Sequence, residues 1–142
     1  MKKTFLYRFF GIGKIPVSHS SAIKSEGVIL ADEGFKGTVT YINFRAPWRY
    51  SNWKRQWCTA SIALTNTRLL AFQYAKLLID VPFTDARFRE LNFSVEEGTT
   101  LLIAFDASLF HKDTTGNLEY RFFTPYAQEF LGKLLQKQSA QL

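Results

Sequence analysis

The sequence predicts a mainly β domain: a curled, partly open barrel of about seven or eight antiparallel strands, capped by one C-terminal helix. Three observations lead there. Aromatic residues make up 16% of the chain, with 14 Phe, and such side chains favour pleated, half-buried surfaces. Short segments that alternate apolar and polar residues recur between turn-forming residues. After these segments the last stretch of the chain changes to a helical period.

The first element is at residues 4–11. Phe5, Phe9 and Ile12 follow an i, i+4, i+7 spacing, with Leu6 and Phe10 beside them, which predicts a short amphipathic helix. Gly11 and Gly13 end it. Residues 18–25 are polar and predict a loop. A short strand follows over residues 26–31, and Asp32, Glu33 and Gly34 predict a turn. Residues 35–45 alternate, with Val39, Tyr41 and Asn43 on one face and Thr38, Thr40, Ile42 and Phe44 on the other.

Residues 46–52 hold Pro47 and Asn52 and predict a hairpin loop. Residues 53–64 and 68–74 predict two strands joined by a tight turn at Asn66 and Thr67. Residues 77–83 predict another, with Pro82 placing its end at a sheet edge or bulge. A turn over 84–89, strands over 91–95 and 100–105, a polar loop over 111–116 and a last strand over 118–123 complete the sheet. Thr124 suits a helix N-cap and Pro125 the first helical position. Ala127, Phe130, Leu131 and Leu134, with Leu135 alongside, then predict a helix from 125 to about 137.

A chain of 142 residues fits one domain. No repeat or linker divides it, apart from an extension over residues 1–25 before a domain over 26–142. Cys58 is the single cysteine, so an internal disulfide is excluded. Arg8 breaks the N-terminal apolar run and no small-residue cleavage site follows, which argues against a secretory signal. No apolar run is long enough to span a bilayer as a helix. The expected location is the cytoplasm, with attachment to the membrane periphery compatible.

The net charge of +6 is unevenly spread. Residues 1–57 hold ten Lys and Arg against three Asp and Glu; residues 58–142 hold eight against nine. That asymmetry suits an anionic partner, although a solubilising surface explains it equally well.

The charge focuses on residues 43–57, NFRAPWRYSNWKRQW. They hold all three tryptophans and four cations with no acid. Arg45, Trp48, Arg49, Tyr50, Trp53, Lys54 and Arg55 are the candidate contacts. Cations can pair with lipid phosphates while Trp and Tyr enter the interface. The same set could stack on nucleic-acid bases, a less favoured reading, or anchor a protein partner, a second copy included. Equally, the rings could pack across the hairpin with the arginines on them. Trp53, Arg55 and Trp57 are expected on one face.

Catalysis is not expected. Asp106, Ser108 and His111 lie close in sequence, but no nucleophile elbow frames them and a turn uses them as well. Gly11, Gly13 and Lys14 lack phosphate-loop spacing. His19, Cys58 and His111 lack metal-ligand spacing, so neither metal nor cofactor is expected. Glu119 and Arg121 are expected to pair across strands with neighbours such as Asp106.

Residues 62–72, IALTNTRLLAF, are similar to the LT-x-x-RL hairpin of bacterial pleckstrin-homology-like and GRAM-like domains. Residues 27–30, GVIL, resemble that family's opening strand, and residues 81–85, VPFTD, its short segment after the hairpin. The resemblance covers about residues 26–137 and includes the closing helix. It implies a non-catalytic binding or scaffolding role, in some members toward membrane phosphoinositides. Arg68 within the hairpin is expected to be a structural arginine.

Overall fold

A computed structural model describes residue 3, residues 14–74 and residues 76–140. The helix expected over residues 4–11 lies outside that range. Eight antiparallel strands form one curled half-barrel sheet with a C-terminal helix. They are β1 (Val28–Ala46), β2 (Arg49–Ser51), β3 (Lys54–Thr65), β4 (Arg68–Gln73), β5 (Lys76–Pro82), β6 (Asn92–Glu96), β7 (Thr100–Asp106) and β8 (Thr115–Phe123). The order across the sheet is β5-β4-β3-β1-β8-β7-β6, with β2 paired to the far end of β1. Pro82 closes an edge strand, as its missing N–H requires.

The longest strand, β1, runs through two places where the sequence suggested otherwise. Asp32, Glu33 and Gly34 do not turn the chain. They form a bulge: Glu33 pairs with Ser61 and Phe35 with Ala60, so Gly34 is an extra residue, at φ 76°. A Gly in the left-handed region is what such a bulge requires, and the ladder continues past it. A second irregularity lies between Ile42 and Arg45, where Asn43 has φ 48°. It inverts the alternation. Phe44 therefore turns into the core beside Tyr41, ring centroids 5.1 Å apart, instead of onto the face of Thr38 and Thr40.

The core fills the concave side of the sheet. Phe35, Val39, Ile62, Leu64, Leu69, Ile79, Leu101, Ile103 and Phe122 are all buried in it. The closing helix α3 (Ala127–Ala140) adds Ala127, Phe130 and Leu134. Thr124 Oγ1 accepts from the Tyr126 N–H ahead of the helix. Leu131 is partly buried against the core, whereas Leu135 is exposed. Gln138 Nε2 donates to the carbonyls of Phe88 and Leu91 and holds the helix end down.

Among the described residues two further α-helices stand where turns or loops were expected. α1 (Val17–Glu26) replaces the polar loop. It forms because one face finds partners on the convex side of the sheet. Ile23 is buried with Ala63, Leu70 and Phe72, and the His19 ring lies 5.4 Å from that of Phe72. Tertiary packing outweighs a weak local pattern here. α2 (Ala86–Arg89) is one turn started by Asp85, whose carboxylate accepts from the Arg87 N–H.

Arg68 is the structural arginine expected. Its guanidinium donates to both oxygens of Glu26 and both of Asp80, at 3.0 Å each. It thereby joins the end of α1, the start of β4 and the middle of β5.

Candidate functional site

The loop expected over residues 46–52 is mostly strand. Phe44 pairs with Ser51, Arg45 with Tyr50 and Ala46 with Arg49. Only Pro47 and Trp48 remain to turn the chain. Proline supplies the first turn position and Trp48, at φ 66°, the second, which is the pattern of a type II turn. That second position ordinarily favours glycine. Trp53 is not a strand residue on the face of Arg55 and Trp57. It lies in the turn from β2 into β3, at φ 58°.

Two tryptophans and Asn43 thus adopt left-handed backbone within one hairpin. Asn tolerates that region; a bulky side chain costs about 1–2 kcal/mol there. The strain is not repaid by burial. Trp48 is fully exposed, Trp53 is 70% exposed and Tyr50 55%. Asn52 supports the arrangement: its Oδ1 accepts from the Asn43 N–H at 3.1 Å.

The cations are arranged on aromatic faces. The Arg45 guanidinium lies 4.7 Å from the Tyr50 ring centre, and that of Arg49 lies 4.5 Å from Tyr41 and 5.3 Å from Phe44. A guanidinium stacked on its flat side keeps its N–H edge for oxygen acceptors. Lys54 stands opposite Tyr41 and Arg55 opposite Thr40. None of these four cations forms an ion pair among the described residues. All seven candidate residues therefore lie along one ribbon, distributed over both of its faces.

Trp57 behaves differently from its two neighbours. Its ring stacks on Phe123, centroids 6.0 Å apart and 18° from parallel, and Lys36 Nζ sits 3.9 Å from its centre. It belongs to the convex face of the sheet. There Arg55, Glu96, Glu97, Thr100, Arg121 and Phe123 line an open trough of about 490 Å³. The buried hydroxyls of Thr38 and Thr40 on the same face have no hydrogen-bond partner among the described residues. Sequence reasoning missed this face because its members come from five strands, β1, β3, β6, β7 and β8, and the turn after β6.

Arg121 forms a cross-strand ion pair as expected, but with Glu96 and not with Asp106. Its guanidinium bonds Glu96 at 2.8 Å and Glu119 at 2.9 Å. Asp106 instead begins a 3-10 turn, accepting from the N–H and the hydroxyl of Ser108 at 2.8 and 2.6 Å. Those bonds hold its carboxyl below the usual range. Burial, with the Lys76 charge adding, pushes His111 down as well.

No family model matches the chain, and no curated protein does. No helix among the described residues is long and apolar enough to cross a membrane.

Proposed function

We propose that this is a non-catalytic binding domain of pleckstrin-homology-like or GRAM-like type, which attaches to an anionic membrane surface through the hairpin over residues 43–57. The observation that carries the reading is the pairing of strain with exposure: Trp48 and Trp53 hold left-handed backbone and still face solvent. Strained, exposed aromatics flanked by unpaired cations suit a surface that is met from outside.

The fold-level part rests on the curled sheet with its closing helix, on the β3–β4 hairpin at residues 62–72, and on the segment over 81–85 that ends in the Asp85 cap. A binding role without catalysis is supported by Asp106 and Ser108, which spend their hydrogen bonds on each other in a turn.

The energetics suit a reversible attachment. Each cation near an anionic leaflet contributes about 1 kcal/mol. Four would give about 4 kcal/mol, which alone corresponds to millimolar affinity. The two tryptophans add interfacial burial. The attraction extends over a Debye length of about 10 Å at 0.1 M salt, so attachment should weaken steeply as salt rises.

The test is sedimentation with liposomes. Vesicles containing anionic lipid should retain the chain at low salt, and the double substitution Trp48→Ala, Arg49→Ala should release it. Absence of retention at every salt concentration overturns the membrane reading.

A further inference from the structure

We propose that the hairpin meets the membrane edge-on along β2, and that it reads surface charge density instead of one lipid headgroup. This rests on the membrane reading above. The geometry supplies two arguments.

Two tryptophans bracket β2, Trp48 just before Arg49 and Trp53 two residues after Ser51. Among the described residues β2 pairs only with β1, and no other strand of theirs lies on its second edge. Five residues of extended chain separate the two rings' backbones by at most about 16 Å. A plane laid along that free edge touches both tryptophans together. A headgroup pocket would need neither spacing.

Each of these tryptophans has two cations near it in the ribbon, and they go to opposite sides. Arg49 pairs with Ala46 and leans over Tyr41 and Phe44 on the core side, while Arg45 stacks with Tyr50 on the other. Beside Trp53, Lys54 stands opposite core-facing Tyr41, while Arg55 stands opposite Thr40 on the convex side. No face of the ribbon holds more than two of the four. Cations that straddle an edge meet separate phosphates of a plane; they do not converge on one multiply phosphorylated ring. On the convex side Arg55 shares a trough with Glu96, Glu97 and Arg121, which sets it further still from the other three cations.

Two measurements on the full chain test this. Phosphatidylcholine vesicles are given equal surface charge by phosphatidylserine, by phosphatidylglycerol or by a phosphorylated phosphatidylinositol. Apparent affinities should agree within about threefold. Single-tryptophan chains are also made, Trp57→Phe with either Trp48→Phe or Trp53→Phe, and bound to vesicles of brominated phosphatidylcholine with phosphatidylserine. Both remaining tryptophans should be quenched by the lipid bromines. A preference above about tenfold for one headgroup at matched charge, or quenching of only one tryptophan, overturns the inference and leaves membrane attachment standing. No binding to any anionic vesicle overturns the attachment itself.

Discussion

Gly116 lies directly against the backbone of Asn43: a Cβ on Gly116 would fall 2.3 Å from the Asn43 carbonyl oxygen and 2.7 Å from that of Ile42. Gly116 also has φ 102°, where side chains are strained. The contact sits at the irregularity that turns Phe44 inward and aims the hairpin. Asn43 is held from the other side by Asn52. Replacing Gly116 should therefore disturb fold and hairpin together. Gly116→Ala should lose about 2 kcal/mol or more in urea denaturation, since neither the backbone oxygen nor the dihedral can adjust cheaply. Membrane retention should fall in parallel, even though residue 116 is outside the hairpin.

Phe130 is fully buried where α3 closes the barrel. Phe130→Ala removes a whole ring from a packed interior and should cost about 3–5 kcal/mol by chemical denaturation. Leu135→Ala, five residues on and exposed, should cost far less. Equal losses at both positions would mean that the helix packs on a different face.

The Glu26–Arg68–Asp80 cluster predicts an acid-sensitive fold. Hydrogen bonds from Arg68 hold the Glu26 carboxyl below its ordinary 4.5, with Thr67 and Thr65 adding and burial opposing. A carboxylate with a lowered folded pKa stabilises fully above its unfolded value, and that share is lost as pH falls through the folded value. The thermal midpoint should therefore begin to drop below about pH 4.5. Glu26→Gln should flatten that part of the profile. Arg68→Ala should cost about 2 kcal/mol at neutral pH, because it leaves two carboxylates facing each other without their cation.

Strand and closing-helix periods were readable in the chain because they reflect repeated burial: Ile62, Leu64 and Leu69 face one core, and Ala127, Phe130 and Leu134 meet it from the helix. What depends on partners distant in sequence was not readable. α1 forms because Ile23 finds Leu70 and Phe72, and nothing in residues 18–25 announces those contacts. Gly34 resembles a turn residue locally; only the ladder to Ser61 and Ala60 makes it a bulge. The candidate hairpin was visible through composition alone. Its left-handed tryptophans were not, since sequence preference places glycine or asparagine at such sites.

That last mismatch yields the sharpest prediction. At Trp48 the preferred residue for the backbone is glycine, and the existing side chain buries nothing to offset its strain. Trp48→Gly should thus stabilise the isolated chain, by about 1 kcal/mol once the greater freedom of unfolded glycine is subtracted from the relieved strain. The same substitution should weaken retention on anionic vesicles by removing an interfacial ring. Trp48→Asn should behave alike, since asparagine tolerates the same backbone. A gain in thermal midpoint together with a loss of binding would mark the tryptophan as kept for contact at a cost in stability. A loss of stability would instead mean that the ring packs on the hairpin in solution.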